Sequence, residues 1–166
     1  MSNVLVVSYS LGGTTRIVAD ELARRLSADT YEIVEARRRR GVIDHLLAGF
    51  ESLAKGVPSI VDGCETSDYE MVVLGTPVWA GSMASPMRSF MFAHRREFQK
   101  VACFCTMAGR GAKETLREMK ALSGSENAPT FSARGADVRN GSYLPRLESF
   151  TSSLRKAAEG SVSAVA

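Results

Sequence analysis

Five short segments that read as strands, each followed by a segment with apolar residues at helical spacing, occupy most of this 166-residue chain. The strand segments begin at Val4-Leu5-Val6-Val7-Ser8-Tyr9 and recur at 30–34, 71–75, 101–105 and 130–136. The first, Met71-Val72-Val73-Leu74-Gly75 and 101–105 are apolar without alternation, as strands buried on both faces must be. Between them, Val18, Leu22 and Leu26 recur every four positions in 14–27. Ile43, Leu46, Leu47, Phe50, Leu53 and Ala54 mark 42–55 as the clearest helix. Ser85-Pro86 reads as a cap and first-turn proline for a helix with Met87, Phe90, Met91, His94 and Phe98 on its inner face. Residues 112–122, stopped near Gly124, and 144–156 supply the last two helices. Strands alternating with helices require right-handed crossovers and a covered parallel sheet. The expected class is therefore α/β, a three-layer α/β/α sandwich around a five-stranded parallel sheet.

Composition narrows the functional classes. Hydrophobic residues at 45% and charged residues at 23% describe an ordinary globular chain. No apolar run approaches the ~20 residues of a spanning helix, so no membrane span is expected. A net charge of +3 is small for a nucleic-acid binder, and none is expected as partner. Met1-Ser2-Asn3 leads straight into the first strand without a basic leader, which points to a cytoplasmic setting. Three cysteines do not make a disulfide framework, and Cys103 and Cys105 read as buried, reduced and structural. With only His45 and His94, no metal site is expected. Residues 1–158 form one domain on this reading, and 159–166 a frayed tail.

In an open parallel sheet, ligands bind beyond the carboxyl ends of the strands. Three unusual loops fall there. Ser10-Leu11-Gly12-Gly13-Thr14-Thr15 combines glycines, hydroxyls and a helix amino terminus, a neutral cradle for a phosphate dianion. It lacks the GxxxxGK[ST] pattern, so a terminal monophosphate fits better than a triphosphate. The alternative is that Ser10 and Thr14 merely cap the helix. Thr76-Pro77-Val78-Trp79-Ala80-Gly81-Ser82-Met83 carries the single tryptophan, which can lie against a planar heterocycle or pack under the next helix. Thr106-Met107-Ala108-Gly109-Arg110-Gly111 can present backbone polar groups to a ring edge, or be an ordinary tight turn. Together the loops match a flat cofactor ending in one phosphate, and FMN is the obvious fit.

These three stretches resemble the flavodoxin-like family of FMN-binding proteins, in its short-chain form, over nearly the whole chain from Val4 to about Leu154. The resemblance implies strand order 2-1-3-4-5 with FMN at the switch point between strands 1 and 3. It implies phosphate contacts from Ser10, Gly12, Gly13, Thr14 and Thr15. Flavin-ring contacts would come from Pro77, Val78, Trp79, Ala80 and Gly81, with Thr106, Gly109 and Gly111 completing the ring site. The family's loop usually has a hydroxyl where this chain has Gly12, and Arg16 is a candidate charged substitute.

The family's electron shuttles are generally acidic, whereas this chain is basic and carries Arg37-Arg38-Arg39-Arg40. That run is a solvated turn, a docking point for an acidic redox partner, or a grip for an extra phosphate of NADPH. The leading expectation is an electron carrier with non-covalent FMN and no catalytic side chain, working with a redox partner protein. The alternative is an NAD(P)H-dependent quinone or flavin reductase using a small acceptor. A non-redox signalling module is the third reading: Ser8-Tyr9-Ser10 and Gly75-Thr76-Pro77 stand where a phosphorylated receiver needs acids.

Overall fold

The computed structural model describes residues 2–35, 60–61 and 63–159. The expected helix over 42–55, His45, the arginines at 37–40 and the tail beyond 159 lie outside them. Strands β1 (Val4–Ser8), β2 (Asp29–Glu32), β5 (Met71–Trp79), β7 (Lys100–Met107) and β8 (Thr130–Arg134) form one parallel sheet in the order β2-β1-β5-β7-β8. Numbered among themselves, these five strands run 2-1-3-4-5. A short β6 (Ser82–Met83) folds back antiparallel on β5, and β3 (Val34–Glu35) pairs with β4 (Ile60–Val61) in a separate two-stranded ladder.

Five helices are described: α1 (Thr14–Leu26), α2 (Ser85–His94), α3 (Ala112–Ser123), α4 (Gly135–Asn140) and α5 (Leu144–Glu159). Alternate strand residues feed two cores, which is why the strands are apolar without alternation. Val6, Val73 and Phe104 face α1 and α5 beside Val18, Leu22, Leu147 and Phe150. Leu5, Val7, Val72, Leu74 and Cys103 face the other way, against Met87, Phe90, Met91 and Met119 of α2 and α3. Gly124 ends α3 in the left-handed conformation at φ 70°, and Ser125 N–H donates back to the Lys120 carbonyl at 3.1 Å.

Several boundaries differ from the sequence reading. Ser85 is the first helical residue of α2 rather than its cap, which is Ala84, and Phe98 lies beyond the helix while still packing on the second core. The second strand breaks at Ile33, whose side chain enters the core. The third strand does not stop at Gly75. Its hydrogen bonding continues through Thr76 and Pro77 against β7, and Val78 and Trp79 then pair with β6. The last strand ends at Arg134, and Gly135 and Ala136 open α4.

One close approach locks β5 to β7. A Cβ on Gly75 would fall 1.9 Å from Cζ of the fully buried Phe104 ring, its neighbour in register. Gly75→Ala should therefore cost about 1–3 kcal/mol, seen as a lower urea midpoint at unchanged m. In a Phe104→Ala background the same substitution should cost almost nothing. Burial also pushes the Cys103 and Cys105 thiols up to about 12. The native chain should thus release no more than one equivalent of thiol to a disulfide reagent at pH 8, from half-buried Cys64, and three when denatured. These thiols keep their protons in the native state and lose them in the unfolded chain. Stability should accordingly fall as pH rises above ~8.5, the ordinary thiol pKa.

Candidate functional site

Parallel pairing brings the ends of β1, β5 and β7 level, with Ser8 opposite Gly75 and Pro77 opposite Thr106. Beyond β1 the chain stays tied to the sheet through Tyr9 N–H and the Gly75 carbonyl, 3.0 Å apart, and then turns through 10–13 into α1. Gly13 takes the cap position, and no side chain caps the helix. Ile17 N–H closes the first helical hydrogen bond onto the Gly13 carbonyl at 3.0 Å. The N–H groups of Thr14, Thr15 and Arg16 therefore have no partner within the helix. Beside them the Ser10 hydroxyl is buried and makes no hydrogen bond, so neither it nor Thr14 serves as a cap. Thr15 Oγ1 and Thr106 Oγ1 lie 2.8 Å apart and stitch the first loop to the end of β7.

These groups open onto a cavity of about 250 Å³. Its opposite wall is the end of β5: Pro77, Val78 and Trp79. Trp79 meets the Tyr9 ring edge-on, with centroids 5.4 Å apart and planes at 88°, and it also packs on the second core. Trp79 thus packs on the core beneath and lines the cavity above. The turn joining β5 to β6 is Ala80-Gly81, with φ of 49° and 80°, the left-handed pair that a two-residue hairpin needs.

A buried polar cluster holds that hairpin. Glu118 of α3 accepts from Ser82 Oγ, from Met83 N–H at 3.3 Å, and from Arg88 Nε and Nη2 at 3.2 and 2.9 Å. Arg88 Nη2 also donates to Ser82 Oγ at 2.9 Å. On the other side Gly111, at φ 99°, lies against the hairpin so closely that a Cβ there would meet Gly81 Cα at 3.0 Å. Hairpin and β7 loop therefore support one another.

Of the residues read from the sequence, Ser10, Gly12, Thr14, Thr15, Pro77, Val78, Trp79 and Thr106 line the cavity together. Gly13, Ala80, Gly81, Gly109 and Gly111 do not. Gly13 caps α1, Ala80, Gly81 and Gly111 shape the hairpin contact, and Gly109 is exposed in its loop. Arg16 is not at the cavity either: its guanidinium donates to Glu32 Oε1 at 3.0 and 2.5 Å. The structure adds Leu11, Met107, Ala108, Gly135 and Arg139. The last two come from α4, whose first two residues fall within the strand expected over 130–136. The signal available was Gly135 followed by Asn140-Gly141, a helix-sized interval between two glycine stops.

The architecture resembles several solved flavoproteins. A flavoprotein from Lactobacillus acidophilus NCFM in complex with FMN aligns at a TM-score of 0.68 and 19% identity, covering 89% of this chain and 99% of that one. The WrbA-like flavodoxin from Agrobacterium tumefaciens aligns at 0.53 and 18%, covering 80% and 84%. The fold is the flavodoxin-like one. An NADH:FMN oxidoreductase in its apo form aligns at 0.59 and 12%, covering 93% of this chain and 89% of that one. No protein-family model matches the sequence. In this flavodoxin-like fold the cavity occupies the switch point, between the first and third of the five parallel strands.

The pair of buried Arg88 and half-buried Glu118 makes a prediction. Glu118→Ala leaves a guanidinium with only 7% of its side chain exposed without its carboxylate. It should cost about 3 kcal/mol. Amide exchange should rise at 78–83 more than in the central strands, which native-state hydrogen exchange would detect.

Proposed function

We propose that the chain is an FMN-binding redox protein in which the loops at 10–15, 76–79 and 106–108 hold a non-covalent flavin. One observation carries this reading. The Ser10 hydroxyl is buried without a hydrogen-bond partner, beside the open amino terminus of α1, in a cavity whose far wall is Pro77, Val78 and Trp79. A buried hydroxyl without a protein partner is unfavourable unless a ligand or an ordered water completes it. A helix amino terminus selects an anion for that ligand. Ser10, Thr14 and the N–H groups of α1 would hold the phosphate. Pro77, Val78 and Trp79 would face the ring, and the backbone at Met107 and Ala108 its polar edge. The Thr15–Thr106 hydrogen bond would fix the distance between the phosphate end and the ring end. Solved neighbours of the same fold support the choice of cofactor, one of them an FMN complex.

Bound flavin supplies transfer of one or two electrons, and the protein sets its exposure and surroundings. No side-chain nucleophile is needed for that chemistry. The carrier role is the first reading. A reductase fed by NAD(P)H is the second, favoured by the shared fold of the NADH:FMN oxidoreductase.

The purified protein should be yellow or, stripped of flavin, should quench FMN fluorescence on titration. Ser10→Ala should weaken FMN binding ~10-fold or more, since a hydrogen bond to a charged group contributes ~1.5–3 kcal/mol. A protein that neither carries nor binds FMN contradicts the proposal. Consumption of NADPH with a quinone present would identify the reductase, and its absence in a flavin-loaded sample the carrier.

A further inference from the structure

Arg139 is the only charged side chain among the described residues that line the cavity. It reaches back along α4 to the start of its own helix. A Cβ built on Gly135 would lie 3.4 Å from Arg139 Nη1, 3.8 Å from the Met107 carbonyl oxygen and 3.9 Å from Thr14 Cγ2. The guanidinium therefore sits above Gly135, at the side of the cavity where β7 ends and α1 begins. That is the side of the orphan Ser10 hydroxyl and the free N–H groups. Two neighbouring cations are committed elsewhere: Arg16 to Glu32, and Arg146 to Asp137 at 3.6 Å. Arg139 has no ion pair or hydrogen bond among the described residues. Among the described residues, no carboxylate lines the cavity to compete for it.

A second observation lies in the first loop at Gly12, which carries no hydroxyl. A Cβ there would meet nothing within 4 Å, so the space is open rather than filled by the fold. We propose that Arg139 is the charged ligand of the cofactor's phosphate, supplying from α4 the contact that Gly12 does not supply from the first loop. The inference rests on the flavin reading and deepens it: the site selects a flavin with a terminal dianion over the same ring without one. A planar guanidinium suits phosphate oxygens, and its long stem can swing because no neighbour pins it. Being exposed, the contact is screened by salt, unlike one from a buried hydroxyl.

The test compares FMN with riboflavin, which lacks the phosphate, by fluorescence quenching at two ionic strengths, with inorganic phosphate titrated separately against amide shifts of the flavin-free protein. Arg139→Ala should weaken FMN roughly 5- to 20-fold. It should leave riboflavin unchanged, flatten the salt dependence of FMN binding and reduce the phosphate-induced shifts at 12–16. Arg139→Lys should recover part of the loss, and Gly12→Ser in the Arg139→Ala background should recover FMN affinity without restoring salt dependence. Unchanged thermal melting would show that the fold is not the cause. Equal losses for FMN and riboflavin, or no loss for either in a protein that binds FMN, would overturn the role of Arg139 and leave the flavin reading standing. If the wild-type protein binds neither flavin, the cofactor reading fails, and the role of Arg139 with it.

Discussion

Register between β1, β5 and β7 is the constraint on which the site depends. Ser8 opposite Gly75 and Pro77 opposite Thr106 place three loops at one level. The Gly75–Phe104 contact resists slippage, since a shift by one residue would present a side chain to that ring. With the strand ends fixed, the first loop must enter α1 beside the end of β7, and the Thr15–Thr106 hydrogen bond follows. The cavity is therefore a consequence of strand alignment, with its polar groups added at the ends.

Its two ends are built from different materials. The end at α1 is neutral apart from Arg139, and relies on open backbone N–H groups and one unsatisfied hydroxyl. The opposite wall is apolar and held from behind by charge. Arg88 is buried and Glu118 half-buried, and both hydrogen-bond the hairpin, so they position the wall without lining the cavity. A pair of this kind adds little net stability, but removing one partner is strongly destabilising, which ties the wall to this arrangement. Rigid support beneath Trp79 and an adaptable cation at the far end suit a ligand with a flat body and a charged tail.

Much of this was legible in the sequence because the fold repeats one local pattern. The apolar runs of β1, β5 and β7 are buried on both faces and need no partner to be recognised, and the glycines and hydroxyls of 10–15 lie where such strands end. The parts that were not legible depend on tertiary contacts. Nothing local distinguishes Arg16, tied to Glu32 on β2, from Arg139, which faces the cavity, because the difference is made by residues far away in the chain. The extension of β5 through Pro77 to Trp79 was hidden for a similar reason: Pro77 has no N–H to give, yet the strand survives because β6 folds back beyond it. Gly109 and Gly111 read as ring contacts from their loop, whereas Gly111 serves as a packing surface for the hairpin and Gly109 touches neither wall.

Amide chemical shifts recorded while FMN is added to the flavin-free protein test the central claim most directly. The account predicts large, saturable changes confined to 10–16, 76–79, 106–108 and 135–139, with the outer strands and α5 silent. Changes scattered over the surface, or none at those four segments, would contradict it.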